Sequence, residues 1–355
     1  MLSVGSIIDV EIKNLASSGK GVGFVDADTT RAVFVDYSVP GDLLEVVITK
    51  QKKVYFEAKI LKIKKPSTNR RKPVCSHFTI CGACDFLHIK YDEQIKQKQV
   101  ILEFFAKKHG LDLNELDIIP AKKEYHYRDK VKTQGLGFFK KGSNEVVPIK
   151  KCFIINNEFN KIVFKDPPRK FIYDYKNFKV TTKKGYYYFD GLEIKHHPNG
   201  FVQSNIAMNE ELIKKVIENV VGKKVLELYC GNGNFTLPLI KKGFEVTAIE
   251  GDRLGFELLN ENLERNNLDC ERYNLDVKNH IYDNKYYDTV ILDPPRIGSL
   301  DLLNTVDAKR IVYVSCNPNI ALKEIKKSDF KIKKTILIDM FPNTKHLEVI
   351  FILEK

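Results

Sequence analysis

The stretch Val225-Leu226-Glu227-Leu228-Tyr229-Cys230-Gly231-Asn232-Gly233-Asn234-Phe235-Thr236 decides the fold. A short apolar run ends in a glycine-rich loop, and a helical pattern follows, so a buried strand feeds a loop that a ligand can approach at the backbone. A dinucleotide could sit there, but the third spaced glycine of that fingerprint is missing. Outward from this loop, the chain alternates helix and strand from Asn209 onward, the signature of a doubly wound parallel sheet. The expected strands are Lys224–Tyr229, Glu245–Ile249, Asp288–Leu292 and Arg310–Ser315, with helices near 209–219, 234–241, 252–266 and 319–327. Two later apolar runs, Lys334–Ile338 and Leu347–Leu353, can complete the sheet.

Upstream the pattern differs. Residues 7–13, 31–36, 43–49 and 54–63 alternate β-branched or aromatic with polar residues, and Gly19-Lys20-Gly21-Val22-Gly23 and Pro40-Gly41-Asp42 read as turns, which predicts a small β-barrel. A helix is expected over 91–108, with Ile95, Ile101, Leu102 and Phe105 at helical spacing, and residues 125–200 read as a strand-rich, mostly antiparallel region. The expected domains are therefore 1–64, 65–204 and 205–355, which suits a chain of 355 residues. The net charge of +12 lies in the first part: residues 1–200 hold 36 Lys and Arg against 23 Asp and Glu, and residues 201–355 hold 22 against 23. The densest stretch, Lys50 to Lys72, has ten basic residues and one acid, Glu57, which suits a polyanion such as RNA. No apolar run approaches the ~20 residues of a membrane span and the N-terminus carries no export signal pattern, so a cytoplasmic protein is expected. Seven unevenly spaced cysteines argue for thiols used as ligands or nucleophiles in a reducing compartment.

The chemistry-bearing motifs all fall at strand ends. The glycine loop resembles the first motif of S-adenosylmethionine-dependent methyltransferases, and Glu250, at the end of the next strand, is suited to accept ribose hydroxyls. Asp293-Pro294-Pro295-Arg296 follows a strand, so it opens onto the crevice where open α/β sheets bind ligands. Enzymes that methylate exocyclic amines carry an aromatic after a similar motif; Arg296 stands here instead and suits a backbone or phosphate contact. Ser315-Cys316-Asn317-Pro318 brings a thiol to the same crevice, and a nucleophilic role would require its pKa to be lowered from ~8.5. Glu348 starts the last apolar run and should return to that edge.

Taken together the chain resembles the RNA 5-methyluridine methyltransferase family, in the branch that carries a TRAM domain and an iron–sulfur cluster. The resemblance rests on Gly19-Lys20-Gly21-Val22-Gly23-Phe24 and Val33-Phe34-Val35 in the barrel, Cys75, Cys81 and Cys84 with a distant Cys152, Phe201-Val202-Gln203-Ser204-Asn205, the glycine loop, Asp293-Pro294-Pro295-Arg296, Ser315-Cys316-Asn317-Pro318 and His346-Leu347-Glu348. It implies a Rossmann-like methyltransferase sheet preceded by an oligonucleotide-binding-type TRAM barrel and a β-rich central iron–sulfur domain. It further implies that Gln203, Tyr229, Asn234, Glu250, Asp276 and Asp293 surround S-adenosylmethionine, that Cys316 is the nucleophile and that Glu348 is the base. Asn343 stands where the family more often has His. By spacing alone, Cys75, Cys81, Cys84 and Cys152 suit zinc or iron equally; the resemblance implies a four-iron cluster. Cys270 and Cys230 read as packing residues.

These residue types fit one reaction. C5 of uracil is too weak a nucleophile for a methyl sulfonium, and addition of a thiolate to C6 makes it an enolate that can accept the methyl group. A base must then take the C5 proton before the thiolate leaves. The uridine must be flipped out of its stack, and Phe201 can stack on it. Enzymes that form 5-methylcytosine usually carry a second cysteine in the acidic motif, and none is present. The expected activity is methylation of a uridine in structured RNA, in 23S ribosomal RNA or, alternatively, in the T-loop of tRNA, with no obligate protein partner evident. A non-catalytic RNA-binding protein with a metal, or an oxidoreductase, are the competing readings; the first has no use for a nucleophile beside a base, and the second lacks the full dinucleotide fingerprint.

Overall fold

The computed structural model describes residues 2–24, 31–165, 169–277, 286–299 and 302–355. The chain forms two compact units, one of Met1–Phe104, Phe138–Ile149 and Phe341–Lys345, the other of Phe105–Gly137, Lys150–Met340 and His346–Lys355.

The first unit is built on a closed barrel of β1 (Ile7–Leu15), β2 (Gly21–Phe24), β3 (Ala32–Val35), β4 (Leu43–Gln51) and β5 (Tyr55–Lys65), hydrogen-bonded in the order β1-β2-β3-β5-β4. Alternate residues point inward, and Val10, Ile12, Val33, Val35, Leu44, Val46, Ile48 and Phe56 fill the interior. The sequence predicts a turn over Gly19-Lys20-Gly21-Val22-Gly23, whereas Gly21, Val22 and Gly23 lie in β2. A Cβ on Gly23 would lie 2.3 Å from Val10 and 2.6 Å from the Glu11 carbonyl, so the glycine serves close packing against β1. Helix α1 (Tyr91–His109) follows, and its inner face in this unit is partly polar: Gln94, Gln97 and Lys98 are buried, with Gln97 accepting from Leu15 N–H at 2.8 Å and Lys98 donating to the Phe341 carbonyl at 3.0 Å.

The chain continues through β6 (Leu116–Ile119), β7 (Lys130–Lys132), β8 (Gly137–Phe139), β9 (Val146–Pro148), the short α2 (Asn157–Asn160), β10 (Lys170–Asp174), β11 (Lys179–Thr181), β12 (Gly185–Phe189) and β13 (Leu192–His196), of which β9 and Phe138–Phe139 of β8 belong to the first unit and the rest to the second. Of these, β11-β10-β7 form an antiparallel sheet and β12-β13 a hairpin. Helix α3 (Ile206–Glu218) begins the alternating region of β14 (Lys224–Leu228), α4 (Thr236–Lys241), β15 (Glu245–Glu250), α5 (Arg253–Arg265), β16 (Glu271–Asn274), β17 (Tyr287–Leu292), β18 (Ala308–Ser315), α6 (Pro318–Lys326), β19 (Lys331–Ile338) and β20 (Glu348–Glu354). Their eight-stranded sheet has the order β16-β15-β14-β17-β18-β20-β19-β6. The first five are parallel, and β20 runs antiparallel to both β18 and β19. Two strands, β6 and β16, were not foreseen: Glu271-Arg272-Tyr273-Asn274 and Leu116-Asp117-Ile118-Ile119 are too short and too polar to declare themselves, and pairing at the sheet edges makes them strands. Among the described residues no helix is long and apolar enough to cross a membrane.

Candidate active site

Strand order reverses between β14 and β17, because β15 and β16 lie on one side and β18 on the other. The loops after β14 and β17 therefore diverge and leave a crevice at the carboxyl edge of the sheet. The loop after β14 is tight: Tyr229 and Gly233 have φ of 65° and 89°. A Cβ at Gly233 would lie 2.2 Å from Leu237 Cδ1 and 2.8 Å from Leu259 Cδ1, so only glycine lets α4 and α5 close behind the loop. At Gly231 the space beside the backbone is open. Glu250, ending β15, reaches back into the loop, accepting from Gly231 N–H at 2.7 Å and from Asp252 N–H at 2.7 Å.

The crevice gathers acidic side chains whose proton affinity is raised. Burial, and then the neighbouring carboxylate of Glu250, push Asp293 up to about 7. Glu227, inside β14, is pushed up to about 8 by burial, Asp293 and Glu250, although Thr236 Oγ1 donates to its Oε2 at 2.6 Å. Burial also raises Glu250 itself. Beside them the buried Tyr229 hydroxyl has no hydrogen-bond partner among the described residues, and Asp276 is close enough to contribute to raising its pKa. Three clustered carboxylates, a free phenol and an open glycine backbone suit a polar, cationic ligand, and S-adenosylmethionine, a sulfonium, has that chemistry.

The nucleophile candidate lies at the far wall. Register pairs Ser315 with Val349, and Ile338 with Glu348, so Cys316, one residue past β18, stands beside Glu348 at the start of β20. Cys316 is half-buried and Glu348 is buried. Burial, and then Asp293, raise Glu348 well above the usual carboxylate range. Burial, Glu348 and Asp293 together push the Cys316 thiol up to about 11, opposed by a hydrogen bond from the Arg296 guanidinium. This reverses the expectation of a lowered thiol pKa: in the protein alone the surrounding charge is negative, and Arg296 offsets only part of it. The loop is braced by Asn317, whose Nδ2 donates to the Arg296 carbonyl at 3.0 Å.

The other expected residues divide. Gln203 is buried and Phe201 is 67% exposed, on the segment leading to Asn205, which caps α3 by accepting from Met208 N–H at 3.2 Å. Asn234 turns its amide into the protein, exchanging hydrogen bonds of 2.7 and 2.9 Å with Asn209 and accepting from Tyr187 Oη at 2.9 Å. Sequence reasoning passed over Glu227, although an acid inside the apolar run Val225-Leu226-Glu227-Leu228 is a readable anomaly. In the first unit Asn343 is buried in a left-handed conformation (φ 64°), where its Oδ1 accepts from Arg71 at 2.8 Å and Gln94 at 3.1 Å.

None of the seven cysteines is in a disulfide. Cys81 is buried, bridged to Lys140, and influenced by the charge of Cys75. Cys152 is pinned by Asn160, which accepts from its N–H at 2.7 Å and donates to its carbonyl at 3.0 Å. Among the described residues no three His, Cys, Asp or Glu side chains are gathered tightly enough to hold a metal ion. Cys230 is buried, and Cys270 is partly so.

A largely parallel sheet with a glycine loop at its switch point and an antiparallel strand at β20 is the arrangement of a methyltransferase fold. The sequence profile of the tRNA (uracil-5-)-methyltransferase family matches residues 158–277 and 270–355, and that of the TRAM domain matches residues 2–61. Curated relatives include a 23S rRNA (uracil(1939)-C(5))-methyltransferase RlmD of Vibrio campbellii, 27% identical over 98% of this chain and 95% of that protein. Another is the RlmD of Legionella pneumophila, 27% identical over 97% of this chain and 96% of that protein. Among solved structures, the tRNA (uracil-54, C5)-methyltransferase of Pyrococcus abyssi in complex with S-adenosyl-L-homocysteine shares the fold, with a TM-score of 0.77 and 22% identity over 98% of this chain and 100% of that one. The chain belongs to the tRNA (uracil-5-)-methyltransferase family and is an S-adenosylmethionine-dependent RNA (uracil-5-)-methyltransferase.

Proposed function

We propose that this protein methylates C5 of one uridine in 23S ribosomal RNA in the cytoplasm, with Cys316 as nucleophile and Glu348 as base. The observation that supports the roles is the adjacency of Cys316, one residue past β18, and Glu348, at the start of the neighbouring antiparallel β20. Gln203, Tyr229, Asn234, Glu250, Asp276 and Asp293 would hold S-adenosylmethionine, which when bound supplies the electrophilic methyl group. Glu250 is suited to the ribose hydroxyls and Asp293 to the positive charge, while Asn234 contributes by fixing the loop through Asn209.

Cys316 Sγ adds to C6 of the uracil, and the C5=C6 electron pair moves to C5 and its adjacent carbonyl. C5 would then form its bond to the methyl carbon as the sulfonium–methyl bond breaks, the electron pair of that bond leaving on the sulfur as S-adenosylhomocysteine. Glu348 takes the C5 proton, the electron pair of that C–H bond restores C5=C6, and the C6–S bond breaks with the electrons returning to Cys316. Burial makes Glu348 a stronger proton acceptor once ionised. Phe201, exposed between the buried Gly200 and Val202, would stack on the flipped base.

The test traps the intermediate. With substrate RNA and labelled S-adenosylmethionine, Glu348→Gln should accumulate a methylated protein–RNA adduct that survives denaturing electrophoresis, and Cys316→Ala should form none. Well-folded Glu348→Gln protein with near-normal turnover would remove Glu348 from the mechanism. Mapping 5-methyluridine in RNA from cells with and without the gene identifies the substrate; loss of a tRNA uridine instead of a 23S one would reassign it. The ligand set Cys75, Cys81, Cys84 and Cys152 is proposed for a four-iron cluster on the family resemblance alone, and no step of methyl transfer needs it.

A further inference from the structure

We propose that a pocket lined by Lys132, Arg169 and Lys170 seats a backbone phosphate of the RNA, beside the loop that carries Phe201. The proposal rests on the RNA substrate of the preceding section. The pocket is a cavity of about 330 Å³, and Thr133, Thr182 and Asn199 complete its polar wall. None of the described residues lining it is acidic.

The strongest observation is the register of the sheet beneath it. In the antiparallel pair β7–β10, Lys170 stands directly opposite Lys132. Like charges placed directly opposite each other on neighbouring strands repel and destabilise the pair, so such a pairing is not explained by folding. Both lysines are exposed, and Arg169 extends the positive cluster by one residue. The positive charges are felt at nearby groups. Burial first, and then the charges of Lys170 and Arg128, push Lys130 down to about 8. His197 is lowered by burial, then by Lys184, Lys130 and Lys170. A dianion or phosphodiester between Lys132 and Lys170 converts this repulsion into two attractions, with hydroxyl and amide donors available from Thr182 and Asn199.

The pocket is also tied to the segment that carries Phe201. Lys130, on the same strand as Lys132, donates to the Gly200 carbonyl, which fixes the segment Pro198–Phe201 against β7. A phosphate held by Lys132 and Lys170 is thus held against Pro198 and Asn199, two to three residues before the exposed Phe201. Flipping a nucleotide rotates its backbone, and a seat for a neighbouring phosphate gives that backbone a fixed point.

The experiment uses the full-length protein and the double variant Lys132→Gln/Lys170→Gln, with Arg169→Gln as an independent second variant. The double variant should melt at the same or a higher temperature, since a repulsion is removed, and should bind S-adenosylmethionine unchanged. Its RNA affinity should fall about tenfold at physiological salt, with the slope of log K against log salt shallower by roughly 0.7 to 0.9 for one lost phosphate contact. A single neutral methylphosphonate linkage, scanned along the nucleotides flanking the target uridine, should weaken the wild type at one position and leave the double variant unaffected there. An unchanged salt slope, or a methylphosphonate effect of equal size in both proteins, overturns the proposal even where the wild type methylates RNA normally. Tight stabilisation of the wild type by inorganic phosphate with an unchanged RNA salt slope would make the ligand a free phosphate, which also overturns it. Wild type that methylates no uridine, yet shows the phosphate-specific binding loss, would remove the methylation reading and keep the seat.

Discussion

The Cys316 thiol offers the most direct quantitative check on the crevice. Its pKa is pushed up to about 11 by burial, then by Glu348 and Asp293. At about pH 8 that leaves roughly one thiolate in a thousand, against roughly one in four for an ordinary thiol near 8.5. The sulfur is half-buried, so solvent screens part of the effect, and we expect Cys316 in the protein alone to be alkylated about 10- to 100-fold more slowly than a free cysteine. A unit positive charge about 5 Å away at an effective dielectric of ~20 is worth roughly 3 kcal/mol, or about two pKa units. A cationic cofactor is therefore of the right size to return the thiol to its working range. The assay is alkylation of Cys316 by iodoacetamide, followed by mass spectrometry as a function of pH. Sinefungin, which carries an amine in place of the sulfonium, should lower the midpoint by one to two units, while neutral S-adenosylhomocysteine should leave it nearly unchanged. A midpoint at or below about 8.5 in the protein alone, or equal shifts from the two ligands, would refute this account of the site.

Gly233→Ala introduces a Cβ 2.2 Å from Leu237 at a φ of 89°, and a loss of about 3 kcal/mol or more is expected in denaturant unfolding, together with loss of cofactor binding. Glu227 has its pKa raised in the fold to about 8, so the stability it contributes is complete below its unfolded pKa near 4.5 and is lost as pH rises through 8. Glu227→Gln should accordingly flatten the fall in stability between pH 5 and 8, an effect of some 2–4 kcal/mol at the upper end, and a pH profile parallel to wild type would count against it. Protein purified anaerobically should be brown and carry iron and acid-labile sulfide, both lost when Cys81 and Cys84 are changed to Ser; stoichiometric zinc without iron would end the four-iron assignment.

The alternating region was legible because its strands are long, apolar and separated by helices with clear periodicity, and each expected strand end there carries the motif assigned to it. The edge strands β6 and β16 were not, since Leu116-Asp117-Ile118-Ile119 and Glu271-Arg272-Tyr273-Asn274 become strands only through a partner. The glycines of β2 misled because glycine marks both turns and close approach, and only the position of Val10 tells which. Helix α1 was found from its apolar spacing, yet its buried Gln94, Gln97 and Lys98 answer to backbone groups that no periodicity reveals. At the site, residue types were readable and charges were not. Cys316 and Glu348 could each be picked out alone, but their mutual effect on proton affinity depends on register between strands distant in sequence.

That register has a bearing on how the gene can change over generations. Cys316 and Glu348 are joined by a connection of about thirty residues that holds α6 and β19, and insertions in its turns leave the ladder intact. One residue gained or lost inside β18 or β20 is a different matter. Side chains alternate across a strand, so a single-codon slip would turn Glu348 to the opposite layer while the apolar run Val349-Ile350-Phe351-Ile352-Leu353 still found a buried place on either face. Such a lineage would keep a folded protein and lose the proton acceptor, a route by which relatives of this chain can drift from enzymes into binders without passing through an unfolded ancestor.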